Sequence, residues 1–208
     1  MPTPTQIMLI RHAEKPYGTH FGVTDHGNRS AESLIVRGWQ RAGALVALFD
    51  PAVGALQNPY LAVPTVIYAS KPVTSASSTK KGKKIGSKSQ RPLQTITPLA
   101  QRLGLTPNLS FVEGQEKELA AAVLSQSGIV LIAWQHEKIP TIAKHIVGAN
   151  PPVPPYPPKW LSNRFDIVWV FTPPTPPATP WGFAQVPQQL LVGDTDTVIP
   201  PIVPAAAA

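Results

Sequence analysis

Two histidines in the chain each follow a strongly apolar run. Ile7-Met8-Leu9-Ile10 leads straight into Arg11-His12-Ala13-Glu14, and Ile129-Val130-Leu131-Ile132-Ala133-Trp134 leads through Gln135 into His136-Glu137. A further cation, Arg91, opens the stretch Arg91-Pro92-Leu93-Gln94-Thr95. The side chains so placed are two imidazoles, two guanidiniums and two carboxylates. Near pH 7 a neutral imidazole is a competent nucleophile. Planar guanidinium forks match the oxygens of a phosphate. Phosphoryl transfer asks for this set, an in-line nucleophile with positive donors around the equatorial oxygens. Neighbouring guanidiniums also disfavour an imidazolium at His12, which keeps that ring neutral.

Such chemistry needs both histidines at one edge of a scaffold. A short continuous apolar run reads as a strand buried on both faces. In open α/β sheets ligands sit beyond the carboxyl ends of the strands, where Arg11 and His12 fall. Two parallel strands would bring His12 and His136 to the same crest. From Ser33 to Phe49, Leu34, Ala42, Leu45, Val46 and Phe49 recur at helical spacing, and Asp50-Pro51 ends the helix. Thr65 to Ala69 is the next predicted strand, stopping at Ser70-Lys71-Pro72. Residues 73–90 read as a mobile polar loop. Arg91 to Leu103 follows as a helix with Pro92 in its first turn. Pro98, in its interior, predicts a kink or a restart capped by Thr97. Gly114 to Gln126 is a further helix, with Glu116 and Glu118 early. Pro140 to Val147 is another, placing His136 and Glu137 just before a helix N-terminus, where free N–H groups favour an anion. Phe165 to Phe171 is the last clear strand. Strands alternating with helices predict an α/β fold of three layers, α/β/α, around a largely parallel central sheet.

Composition narrows the classes. The 208 residues suit one domain, expected over 1–172, followed by a proline-rich tail over 173–208 that packs on it or is partly disordered. Fifteen of the 26 prolines lie beyond residue 150. With no cysteine there is no thiol nucleophile and no Cys-ligated zinc. No P-loop, dinucleotide fingerprint or metal-ligand spacing is present, so neither a cofactor nor a metal is expected. No run reaches the ~20 apolar residues of a membrane span. The N-terminus lacks the basic and apolar regions of a secretory leader, so a cytoplasmic protein with no membrane partner is expected. The net charge is +7, but Lys80, Lys81, Lys83, Lys84, Lys88 and Arg91 supply six of the eighteen cations within one short stretch. Without interleaved aromatics to stack on bases, that cluster does not point to nucleic acid.

Leu9-Ile10-Arg11-His12, a strand ending at Ser70, Arg91 with Gln94-Thr95 on the next helix, and a strand ending in His136 together resemble the histidine phosphatase superfamily, the phosphoglycerate-mutase-like group. Trp134-Gln135-His136 looks like members with a tryptophan before the second histidine. The resemblance spans residues 6 to about 171 in matching order. It implies a phosphoglycerate-mutase-like fold and hydrolysis of a small-molecule or protein phosphomonoester. It also implies that His12 becomes a phosphohistidine while Arg11, Arg91 and His136 hold the phosphoryl group. The general acid stays open between Glu137, which follows the second histidine as in the acid-phosphatase branch, and Glu116, near where the mutase-like branch carries its acid. Mutase activity is not favoured, because the pattern of true mutases after the first histidine is missing.

The chain departs from that pattern twice. Ala13 stands where the group usually has glycine. Lys71 to Gln90 separate Arg91 from the strand-end serine, where the group needs only a few residues. The insertion either displaces Arg91, lays its lysines over the pocket, or is a solvated loop. Two other functions remain open: a non-catalytic phosphate- or phosphoprotein-binding module of the same fold, and an interaction protein using the lysine loop and the tail.

Overall fold

A computed structural model describes residues 3–78, 82, 84–148, 156–174 and 180–201. In chain order the elements are β1 (Pro4–Arg11), α1 (Val36–Phe49), β2 (Val66–Ala69), β3 (Ser77–Ser78), β4 (Lys84–Ile85), α2 (Arg91–Leu103), α3 (Glu116–Leu124), β5 (Gly128–Trp134), α4 (Ile139–Val147), β6 (Ile167–Thr172) and β7 (Gly182–Pro187). Five strands form one sheet in the order β2-β5-β1-β6-β7. Its three inner strands are those with unbroken apolar runs, as burial on both faces requires. Ile7, Leu9, Val130, Ile132, Trp134, Ile167 and Trp169 face α3 and α4. Met8, Ile10, Leu131, Ala133, Val168 and Val170 face α1 and α2. No helix among the described residues is long and apolar enough to cross a membrane.

The sheet is mixed, which corrects the largely parallel one expected from sequence. β2, β5 and β1 run parallel, while β6 is antiparallel to β1 and β7 is antiparallel to β6. Alternation of strands and helices implies parallel crossovers only while each helix returns the chain to the amino end of the sheet. After α4 the chain instead passes the carboxyl end of β1, where Ser162 and Arg164 meet Arg11, and β6 starts from there. β7 lies beyond the last strand legible in the sequence; its Gly-Phe-Ala-Gln-Val-Pro run is short, weakly alternating and half-exposed, as an edge strand can be.

Two local expectations also change. α2 runs through Pro98 without a restart, and Thr97 donates its hydroxyl back to the Leu93 carbonyl (2.8 Å) instead of capping. Ile96, Leu99 and Ala100, buried on both sides of the proline, hold the helix to the core. The 73–90 segment is not structureless: β3 pairs with β4, and the Val73 N–H donates to the Ser87 carbonyl (2.9 Å). Lys80, Lys81 and Lys83, and residues 175–179 and 202–208 of the proline-rich tail, lie outside the described residues.

A buried ionic cluster ties the tail to the domain. Arg41 of α1 donates to Glu14 (Nη2 to Oε1, 2.8 Å), to Asp194 (2.7 and 2.9 Å) and to Gln188 (3.0 Å). Burial raises the pKa of Asp194, but hydrogen bonds from Arg41 and from the Leu190 and Leu191 amides outweigh it and hold the net value below the ordinary one. Asp194→Ala is expected to cost about 3 kcal/mol in urea unfolding at pH 7, because it strips a buried cation of a partner. A carboxylate with a depressed folded pKa stabilises above its unfolded value, so the difference from wild type should be full at pH 7 and shrink as pH falls from ~4 through the lower folded pKa.

Candidate active site

The register of the parallel strands sets the site. Arg11 pairs with Trp134 across β1 and β5, and the His12 N–H donates to the Trp134 carbonyl (3.0 Å). His12 therefore sits one residue past the end of β1 and His136 two past the end of β5, at the same edge. Arg91 begins α2 at that edge. The insertion does not displace it, because the chain closes on itself between Val73 and Ser87 before the helix starts. Thr95, one turn into α2, accepts the Ala13 N–H (2.8 Å) and donates to the Arg91 carbonyl (2.7 Å), so the helix start is bonded to the His12 loop. Gly38 of α1 supports the same loop: a Cβ there would lie 2.6 Å from the Glu14 carbonyl oxygen, so only glycine permits this approach.

His12 is 4% exposed. Its Nδ1 is 2.7 Å from the Ala13 carbonyl oxygen. A carbonyl only accepts, so Nδ1 carries the proton and Nε2 keeps its lone pair. Burial lowers the ring's pKa to about 3, with the cations Arg11 and Arg91 pushing the same way. His12 is thus neutral at physiological pH, with its nucleophilic nitrogen fixed by one hydrogen bond.

Arg11 is 1% exposed, and among the described residues no carboxylate is in ion-pair contact with it. Its Nη1 donates to the carbonyls of Ser162 (2.6 Å) and Arg164 (3.1 Å), and its Cζ lies 3.7 Å from the centroid of the Phe165 ring. Its Nε and Nη2 are buried without a partner. Desolvation lowers its pKa to about 10, against the pull of Glu137 and Glu14. Arg91 donates Nη1 to the Ala31 carbonyl (2.9 Å) and also leaves Nε buried and unpartnered; burial lowers its pKa. Such N–H groups are costly unless something accepts from them. Three of them lie on two cations that both act on one neutral imidazole, and an anion is the kind of ligand that could satisfy them.

His136 is buried, and its Nδ1 lies 2.9 Å from Oε2 of Glu137. The two atoms are close enough to attract but misaligned for a hydrogen bond, so Nδ1 remains without a proper acceptor. The contact with His136 is the chief reason that the Glu137 pKa drops to about 2, despite partial burial. Glu137 is mostly exposed and its charge reaches both Arg11 and Arg91.

The structure thus gathers Arg11, His12, Arg91, His136 and Glu137, and leaves Glu116 apart. The Glu116 carboxylate, 2% exposed, accepts the Gly114 N–H (2.7 Å) and the Trp134 indole N–H (3.3 Å), and it is not among the groups acting on His12. Sequence reasoning missed Phe165 and the carbonyls of Ser162 and Arg164. Main-chain acceptors carry no residue signature, and an aromatic beside a strand looks like core. Gln135, whose Nε2 donates to Ser70 Oγ (3.1 Å), joins the strand-end serine to the second histidine's strand. A cavity of about 360 Å³ lies over the ionic cluster of Glu14, Arg41 and Asp194; it shares Phe165 with Arg11, but His12, Arg91 and His136 do not line it. Among the described residues no three His, Cys, Asp or Glu side chains gather to hold a metal ion.

The buried neutral state of His12 has a direct signature. The ring's 15N shifts should stay those of the Nδ1–H tautomer from pH 8 down to about 4. Because its folded pKa is depressed, His12 also removes stability as pH falls from ~6.5 toward 3. A His12 titration midpoint near 6.5 would refute the burial argument. No family model matches the chain, and no curated protein is similar enough to be matched. The case for the site rests on this geometry.

Proposed function

We propose that the protein is a phosphatase that hydrolyses a phosphomonoester, without a metal, through a phosphohistidine on His12. The observation that carries this reading is the set of buried, unpartnered N–H groups on Arg11 and Arg91 around a neutral imidazole whose Nε2 is free. In the first step Nε2 attacks phosphorus, the P–O bond to the leaving group breaks and its electron pair stays on the leaving oxygen. Arg11, Arg91 and His136 hold the equatorial oxygens, whose charge they meet without reorganising. Water then attacks phosphorus, the P–N bond breaks, and His12 returns neutral with inorganic phosphate released. A phosphoglycerate-mutase-like fold belongs to the same proposal. The parallel trio β2-β5-β1 with both histidines at its carboxyl edge supports it, while the antiparallel β6 and β7 are not what the resemblance by itself implied.

Glu137 is the acid we propose for the leaving oxygen. A phosphoryl dianion bound beside it would disfavour its negative charge and raise its pKa toward that role. Glu116 is the weaker candidate, since Trp134 and Gly114 already occupy its carboxylate. The low pKa of Glu137, about 2, favours a second reading, a phosphate-binding module that captures phosphorylated molecules without turning them over.

His12→Ala should lower turnover of p-nitrophenyl phosphate by roughly 10⁴-fold or more. Acid quench should trap an acid-labile phosphoenzyme in wild type alone, and excess chelator should leave the rate unchanged. Loss of activity on chelation, restored by a divalent ion, would overturn the mechanism; phosphate binding with no turnover would establish the binding module. Glu137→Gln should slow alkyl phosphates by about 100-fold while leaving p-nitrophenyl phosphate little changed, because an acid matters in proportion to how poor the leaving group is. Equal losses on both substrates would remove Glu137 from the proton transfer.

A further inference from the structure

Arg11 is aimed by one short piece of main chain. Its Nη1 bonds to the carbonyls of Ser162 and Arg164, and the Phe165 ring covers its Cζ, so Nε and Nη2 are left as the free edge. Carbonyls orient a guanidinium only as firmly as their own turn is held. This turn has a buried support of its own that the proposed chemistry does not use. Asp166, 5% exposed, accepts Arg164 Nε on Oδ1 (2.7 Å) and the Thr195 N–H on Oδ2 (2.9 Å). Arg164 Nη2 continues to the Thr197 carbonyl (2.6 Å), and the Asp166 carbonyl accepts the Gln188 N–H (2.7 Å). The Arg164 carbonyl that takes Arg11 is also fixed by the Trp160 indole (2.9 Å).

We propose that Asp166 is a positioning residue for Arg11: its carboxylate locks the 162–164 turn against the tail at Thr195 and Thr197, and so keeps the free edge of Arg11 pointed at the bound anion. The proposal rests on the phosphate-site reading above for what that anion is. It makes the tail part of the active centre although none of the tail's described residues is bonded to the histidines. The chemistry requires a carboxylate in particular. Both oxygens of Asp166 face N–H groups, so an asparagine must set its own NH₂ against one of them and release either Arg164 or Thr195.

Asp166→Asn in the full-length chain tests this by two measurements. The first is NMR of the Arg11 guanidinium, assigned by its loss in Arg11→Lys. Wild type should show restricted rotation about Cζ–Nη1 with separate Nη signals; Asp166→Asn should average them while the melting temperature and amide spectrum report an intact fold, and Asp166→Glu, with two acceptors, should recover part of the restriction. The second is titration with inorganic phosphate, whose affinity should fall about 10- to 100-fold in Asp166→Asn. In an Arg11→Lys background the same substitution should add little, because the edge it aims is gone. Unchanged Arg11 signals, or losses that simply add, would overturn the proposal. An ordered Arg11 that loosens in Asp166→Asn, in a protein that wild type or not binds no phosphate, would uphold the positioning role and remove the phosphatase reading instead. Should Asp166→Asn fail to fold, Arg164→Lys breaks the same lock while keeping the charge and the carbonyl; Arg11 must loosen there too, and an Arg11 that stays ordered overturns the proposal.

Discussion

The structure turns on a buried guanidinium that the protein satisfies on one side only. Arg11 ends a strand in the centre of the sheet, where water cannot reach it, and its neighbours answer with two carbonyls and an aromatic ring but, among the described residues, no carboxylate in contact. Removing a full charge from water without a counterion is among the costliest arrangements in a fold. The rest of the chain is arranged to tolerate it. The reversed path after α4 brings the Ser162 and Arg164 carbonyls within reach, and it is that path which makes the second half of the sheet antiparallel. The tail, through β7, Asp194 and Thr195, then closes over the turn so created.

Burial, with this cation adding to it, keeps His12 in the neutral state that the proposed nucleophile requires. A histidine at a strand end in water would be partly protonated near neutrality. Buried beside Arg11 and Arg91, it stays neutral, and the Ala13 carbonyl fixes its proton on Nδ1. The alanine in place of glycine after it costs nothing visible: the Ala13 side chain is fully buried in a small cluster with Leu34 and Ala42, and its N–H finds Thr95. The close contact that does require glycine is on the neighbouring helix, at Gly38.

Much of this was legible because it rests on local pattern. The unbroken apolar runs of β1 and β5 located the inner strands, and the charges that stop them located the crest. Arg11, His12, Arg91, His136 and Glu137 meet because two parallel strands and one helix start deliver them, and each delivery has a sequence mark. What could not be read has a common cause in non-local partners. Nothing in residues 165–171 says whether the strand enters from the top or the bottom of the sheet, since burial on both faces looks the same in either direction. β7 has almost no apolar pattern of its own and is fixed by pairing with β6. Glu116 had the right type and distance along the chain for an acid, but its direction is set by the Trp134 indole, a partner eighteen positions away on another element. The closure of the lysine-rich insertion at Val73 and Ser87 likewise depends on main-chain bonds that any sequence could make.

The electrostatics of the crest contain a conflict that bears on how it would work. The nucleophile must be neutral and the acid must be protonated, yet one cationic field acts on both. Burial, with Arg11 and Arg91 adding to it, lowers His12 to about 3; contact with His136, with Arg11 adding to it, lowers Glu137 to about 2, which suits the first and opposes the second. Side chains alone do not resolve this, because moving Glu137 away from the cations would also move it away from the leaving group. A bound dianion does. It cancels the field of Arg11 and Arg91 where it sits, and the charge it brings is repelled by a carboxylate nearby. The pKa of Glu137 can then rise without harm to the nucleophile. In the proposed mechanism the acid is therefore readied by occupancy of the site, and the half-satisfied Arg11 is the group through which that occupancy would be felt.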